Sequence, residues 1–435
     1  MSKKLGYPDQ FCSPISDLFD SHCIRQITPD PSTCPETRDL NNRGGKFVSL
    51  KVHGNSSLLV TENQCLVVDP DDQIMDLIEG NEIDYAIITH GHFDHRSGLK
   101  YLFKNGQRPK IICSIFTRNI IRNFKIEISE MIHAIDRAIV VDPDPFDTVK
   151  IGGVDIRACH GGHCLGNTMF FVREIEGSHS ILFAQESTLR LVGGNNANLP
   201  EESNCEVLVV DGNCSSGSTS DVPYENHKQF LKLLQTSFKS HQTVVILCNS
   251  LGIMQEVYSG VSASLFAGEL PGKQVRLVNC PPVIREELEK ITSSSTKAFP
   301  WDAQISFENW TNQELIRYGK DAVVIVPAAI GDDGCATVDI HELIKQQSLK
   351  VLAVNLNIPD LQAVDNFDSL AIPTHSSVPE VDQLINHCNP TKVIFGCSGG
   401  TESSLQKKWP AVDFFNGVTK TATLSFNNSN GCSEE

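Results

Sequence analysis

The sequence has no hydrophobic run approaching the ~18 consecutive apolar residues that a helix needs to cross a bilayer, so neither a membrane-spanning protein nor a membrane partner is expected. It also lacks the apolar segment that a secretory signal would carry behind Lys3 and Lys4, and the protein is expected inside the cell, in nucleus or cytoplasm. No CxxC pair occurs among its 15 cysteines. Cys65, Cys113 and Cys248 stand singly in apolar stretches, the pattern of reduced, buried small side chains rather than of a disulfide framework. Positive charge is scarce: 36 Lys and Arg face 53 Asp and Glu, a formal net charge of −17. That balance excludes a broad surface that neutralises many phosphates, although bound divalent cations or a small basic groove would act locally. Internal repeats are also lacking.

What is present is a globular composition, 40% hydrophobic and 20% charged, over a length that suits two or three domains or one large domain interrupted by an insertion. Residues 1–45 hold Pro8, Pro14, Pro29, Pro31 and Pro35 and read as an irregular extension with one short helix around Ser16 to Ile24. From Phe47 short apolar runs bounded by turn residues predict strands: FVSLKV, SSLLV, CLVVDP, YAIIT, KIIC, RAIVVD, MFFVREI, SILFA and EVLVV. Helices are predicted near Gln73 to Ile78 and from Thr117 to Ala134. After Asp211 the break GNCSSGSTS precedes a new rhythm, in which TVVIL, QVRLV, AVVIV and LKVLAV alternate with helical patterns, as in a parallel sheet. The tail SFNNSNGCSEE is polar and reads as disordered over 426–435.

Chemistry concentrates in YAIITHGHFDHRSGL, where a buried strand ends and His90, His92, Asp94 and His95 crowd together. Imidazoles and a carboxylate are ligands that zinc accepts, and alternation lets neighbouring side chains face two ions. The run resembles the HxHxDH signature of the metallo-β-lactamase superfamily. The resemblance implies that Asp69 of CLVVDP is the aspartate that orients the metal loop from behind the ligands. In CHGGHCLGNTMFFV it makes His163 the ligand in preference to His160, and in ILFAQES it puts Glu186 where an aspartate usually bridges the two metals.

Beyond Asp211 the sequence is similar to the β-CASP branch, which includes RNA 3′-end processing endonucleases, ribonuclease J and crosslink-repair nucleases. EVLVVDG places Asp211 at the branch's first acidic motif. TVVILCNSLGIMQEV retains Leu251, Gly252, Gln255 and Glu256 of a strand and helix motif, with Ile253 where an arginine is usual. THSSVPEVDQLI resembles the segment whose histidine protonates the leaving oxygen, here His375, and KVIFGCSGG puts Cys397 where a last metal-binding histidine is usual.

The implied fold is α/β: a four-layer αββα metallo-β-lactamase sandwich formed by 46–213 and 360–425, with a β-CASP α/β domain inserted at 214–359. The implied function is phosphodiester hydrolysis of nucleic acid, RNA first, by a hydroxide activated between two zinc ions, manganese or iron being the alternatives. His90, His92 and His163 would hold one ion, Asp94, His95 and Cys397 the other, with Glu186 between them and His375 as acid. Asp94, His375 and Glu186 are thus the expected catalytic residues. Partner subunits of an RNA-processing complex are expected if the chain is instead a non-catalytic paralogue, which the changes at Ile253, Glu186 and Cys397 favour. A small-molecule ester or thioester hydrolase is a third reading, favoured by the acidic charge.

Overall fold

The computed structural model describes residues 45–123, 128–141, 143, 148–188, 204–211, 222–240, 243–249, 251–266, 270, 274–286, 305–318, 322–327, 339–346, 348–356, 365–371, 375–396, 402–418, 420–426 and 432–434. The helix expected at Ser16 to Ile24 and Cys397 lie outside the described residues.

Alternation of buried and half-buried residues builds β1 (Phe47–His53) as an antiparallel partner of β2 (Ser56–Thr61), across the Gly54 turn. β3 (Cys65–Val68), β4 (Tyr85–Ile87), β5 (Lys110–Cys113) and β6 (Ile139–Val140) follow, parallel to one another from β3 onward. Parallel strands are covered on both faces, and these read accordingly as continuous apolar runs. A second sheet begins with β7 (Thr148–Ile151), β8 (Val154–His160), β9 (Thr168–Glu174), β10 (Ser180–Ala184) and β11 (Val207–Asp211). The chain then forms a third, wholly parallel sheet from β12 (Thr243–Cys248), β13 (Gln274–Val278), β14 (Ile305–Glu308), β15 (Ala322–Pro327), β16 (Leu349–Val354) and β17 (Phe367–Leu370), in the order β14-β13-β15-β12-β16-β17. It returns to the second sheet with β18 (Lys392–Gly396) and β19 (Asp413–Asn416), and closes the edge of the first with β20 (Ala422–Ser425) and β21 (Cys432–Glu434).

Four layers result. Leu50, Leu59, Val68 and Ile87 of the first sheet pack against Phe170, Val172, Phe183 and Val209 of the second. Outside the first sheet lie α1 (Ile74–Ile78), α2 (Ser97–Lys104), α3 (Ile115–Asn123) and α4 (Ser129–Asp136), whose Leu99, Phe103, Ile121 and Met131 cover Ala86 and Ile111. In the inserted unit α5 (Val222–Ser240) and α6 (Ile253–Phe266) cover one face of the third sheet, while α7 (Asn312–Tyr318) and α8 (Ile340–Ile344) cover the other. The outer layer of the second sheet is α9 (Val378–Cys388) with α10 (Glu402–Lys408), where Val381, Leu384 and Leu405 pack on Leu208 and Val393. This is the expected αββα sandwich with an α/β insertion.

Three details differ from the sequence reading. The helix predicted from Thr117 to Ala134 is two helices, α3 and α4, because the β-branched Ile128 takes extended backbone at the start of α4. The third sheet continues past residue 359, since β17 pairs with β16 rather than with either sheet of the sandwich. The tail expected to be disordered contributes β21, which gives backbone partners to the otherwise open edge of β20.

Candidate metal centre

The described ligands predicted from sequence converge at the carboxyl ends of strands, where ligands of open α/β sheets commonly bind. Asp69 follows β3, His90 to His95 follow β4, His163 follows β8, Glu186 follows β10, and Asp211 ends β11 opposite Gly396 of β18. Strong β-propensity carries each strand to the rim, and the turn residues that end it hold the polar side chains. Three of these take left-handed backbone though none is glycine: Asp69 (φ 49°), His163 (φ 52°) and Glu186 (φ 47°). Such conformations cost of order 1–3 kcal/mol and persist where the surroundings fix them.

Asp69 fixes the loop from below. It is fully buried and accepts hydrogen bonds from Thr89 N at 2.7 Å and Thr89 Oγ1 at 2.6 Å, while its Oδ2 lies 3.0 Å from His95 Nδ1. His95 Nε2 therefore points away from Asp69, 3.2 Å from Glu186 Oε2. Among the described residues this buried nitrogen has no hydrogen-bond partner.

Around the same carboxylate oxygen stand His90 Nε2 at 3.2 Å, His163 Nε2 at 3.2 Å and His92 Nδ1 at 3.7 Å. His92 Nδ1 is itself 2.9 Å from His90 Nε2 and 3.2 Å from His163 Nε2. The second nitrogens of two rings have partners elsewhere: His90 Nδ1 faces Thr89 Oγ1 at 3.0 Å, and His92 Nε2 faces the Leu251 carbonyl of the inserted unit at 3.3 Å. Asp94 is mostly exposed, receives a 3.1 Å hydrogen bond from Asn55 Nδ2, and lies 3.8 Å from His95 Nε2. His375 stands just before α9 with its Nδ1 2.5 Å from Asp211 Oδ2 and 3.9 Å from Glu186 Oε1. Its approach to the rim is fixed by Ser376, which donates to the Ser187 carbonyl, and by Glu380, which accepts from Ser377 N and from Thr188 Oγ1, each at 2.7 Å.

Burial and charge divide these histidines. Burial drives His90 well below the usual imidazole range, with His95 adding to the effect, and burial likewise lowers His163. For His95 the cost of burial is outweighed by the Glu186 and Asp69 carboxylates, which hold it well above that range. Glu186 shows the reverse balance, burial being overcome by His95 and the hydrogen-bonding rings of His163, His90 and His92, so its pKa falls well below an ordinary carboxylate's. His375 also overcomes burial, through its hydrogen bond to Asp211 and the charge of Glu186, and is raised to about 9.

A divalent cation fits this arrangement. Ring nitrogens 2.9 and 3.2 Å apart oppose one another unless a proton or a cation lies between them. Imidazole ligands at roughly 2.0–2.1 Å from a tetrahedral zinc would stand roughly 3.3 Å apart, close to what is found. The orphan His95 Nε2 supplies a further donor aimed into the cluster. Groups whose ligand atoms lie within 4.8 Å of one another include His90, His92, His163 and Cys164; Asp94, His95 and Glu186; and His163, Glu186 and His375. His160, at the end of β8, is in none of these groups. Sequence reasoning missed Thr89, Asn55 and the Leu251 carbonyl, whose contacts depend on folding. It also passed over Cys164, which its place beside His163 could have signalled.

The αββα sandwich with its histidine-rich rim has the build of a metal-dependent hydrolase and resembles the metallo-β-lactamase superfamily. The superfamily profile, Metallo-beta-lactamase superfamily, matches residues 51–166. The chain is 25% identical over 202 residues, 41% of its length and 30% of the relative's, to transcription termination factor FttA of Methanothermobacter thermautotrophicus. It is 24% identical over 202 residues, 40% of its length and 25% of the relative's, to endoribonuclease YSH1 of Kluyveromyces lactis. The matched part thus spans less than a third of these curated relatives. Among solved structures, a protein of unknown function from Enterococcus faecalis V583 has the same fold, with a TM-score of 0.51 at 11% identity, covering 87% of this chain and 100% of that one. Within the superfamily the resemblance is to the β-CASP branch.

Proposed function

We propose that the chain hydrolyses phosphodiester bonds of nucleic acid, RNA before DNA, as an endonuclease of RNA processing. The observation that carries this reading is the pairing of His375 with Asp211 beside the Glu186-centred histidine cluster, at the junction with the inserted α/β unit. A hydrolase that needs only metal-activated water has no use for a protonated histidine held 3.9 Å from the Glu186 carboxylate.

In this reading His90, His92 and His163 would hold one zinc and Asp94, His95 and Cys397 the other, with Glu186 available to both; manganese or iron would serve in place of zinc. When bound, two such ions supply water activated at near-neutral pH and charge stabilisation for the phosphoryl oxygens. The chain's own residues do the rest. Asp69 fixes the ring of His95 through Nδ1, which sets the face that Nε2 presents. Asp211 holds His375 protonated at neutral pH, so that His375 can deliver a proton to the departing oxygen, a contribution worth typically about 10²–10⁴-fold. The RNA-linked names of the FttA and YSH1 relatives support a nucleic-acid substrate.

A scaffold subunit of an RNA-processing complex is the second reading, favoured by Ile253, which is buried in the inserted unit's core where the branch usually carries an arginine. Metal content and cleavage of labelled single-stranded RNA and DNA, measured on wild type and an Asp94→Ala/His95→Ala double mutant, separate the two. Two ions per chain with cleavage lost in the mutant is the expected result. Bound metal without cleavage by either form would leave the scaffold, and an absence of metal would sink both the centre and the nuclease.

A further inference from the structure

Cys164 directly follows His163 and is fully buried. It packs among apolar side chains of both units, Ile120 from α3 and Leu251 and Ile253 from the inserted unit, and packing alone accounts for a small apolar group at this place. Packing does not account for the other side of the sulfur. Cys164 Sγ and ligand nitrogens of His90, His92 and His163 all lie within 4.8 Å of one another. The turn explains how consecutive residues both reach the cluster: Gly162 and His163 have φ of 67° and 52°, and Cys164 N donates to the Gly162 carbonyl at 2.5 Å. The backbone N–H of Asn167 donates to the Cys164 carbonyl at 3.1 Å, which holds the turn closed behind the sulfur.

We propose, on the metal-centre reading above, that Cys164 supplies a thiolate to the ion held by His90, His92 and His163. The exchange is balanced without an oxidant: the S–H bond gives way to an S–metal bond and the proton passes to solvent. Thiolate and imidazole together form a donor set that suits zinc. Three histidines and one cysteine already make the four protein ligands of a closed zinc site before Glu186 is counted, whereas sites with three protein ligands keep a position for water. The ion beside Cys164 would therefore be held by protein ligands alone.

The test is cobalt(II) loaded into metal-stripped full-length protein, read by absorption. Wild type and Cys397→Ser should show visible d–d bands together with a near-ultraviolet sulfur-to-cobalt charge-transfer band. Introduced into Cys397→Ser, Cys164→Ser and Cys164→Ala should abolish that band and weaken cobalt binding at least about 10-fold, while circular dichroism checks that they fold. Visible bands without charge transfer in wild type would overturn the thiolate and leave the metal centre standing. So would a charge-transfer band that survives in the Cys164→Ser/Cys397→Ser double mutant or disappears in Cys397→Ser. No visible bands in wild type would overturn both.

Discussion

His375 carries a charge that the fold itself maintains. Asp211 and Glu186 face it, and its pKa in the folded protein is about 9 against an ordinary value of 6.5. A group whose pKa is raised on folding contributes stability that is complete below the unfolded value and vanishes as pH climbs through the folded one. The window here therefore opens above pH 6.5 and closes near pH 9. For metal-free protein, the loss of unfolding free energy caused by His375→Ala should be larger at pH 6 than at pH 10, as measured by urea denaturation. An equal loss at both values would show that the His375–Asp211 contact is not an ion pair. The residue types needed for this chemistry were legible in the sequence, because His90, His92, Asp94, His95 and His163 sit in short motifs. Their partners were less so. Asn55 reaches Asp94 from the β1–β2 turn, and Leu251 reaches His92 from the inserted unit, and neither contact leaves any spacing in the sequence.

At the scale of elements, the turn after β12 reaches the rim of the sandwich. Gly252 has φ +84°, and a Cβ there would stand 3.2 Å from Cys164 Cβ and 3.3 Å from the His163 carbonyl oxygen. An L-residue in left-handed backbone costs roughly 1–2 kcal/mol before any crowding is counted. Gly252→Ala should therefore lower the melting temperature, and by displacing the Leu251 carbonyl from His92 Nε2 it should also weaken metal binding, measured by competition with a chelator. A variant with a lower melting temperature and unchanged metal affinity would show that the turn supports the fold and not the cluster. Most strands were legible because apolar runs such as TVVIL and EVLVV are buried on both faces. β17 and β21 were not. The first was assigned to the wrong layer because a strand's pattern says which faces are buried but not which sheet it joins. The second lies in a polar tail, and its place follows from the bare edge of β20 rather than from its own residues.

For the whole molecule, the cluster ties the two sheets of the sandwich together, since Asp69 and His90 to His95 come from the first and His163 and Glu186 from the second. Ions that bind only the folded state stabilise it by mass action, by about 2.7 kcal/mol at a hundredfold excess over Kd. Dialysis against a chelator should lower the melting temperature, and zinc should restore it. A melting curve indifferent to both would argue against a metal between the sheets. The architecture was legible from the alternation of strand and helix and from the motif at His90, whereas the charge of −17 carried no information about it. Net charge acts on association and solubility, not on fold.

The left-handed backbone at Asp69, His163 and Glu186 sets a limit on how the protein can be made more heat-resistant. Glycine at any of the three would relieve local strain, and stabilising substitutions are in general easy to find. Each such change would delete a ligand or its support. A selection for thermal tolerance alone would therefore be drawn toward these positions and would dismantle the centre first, while a selection that also demanded bound metal would have to find its gains elsewhere, in the helices and the third sheet.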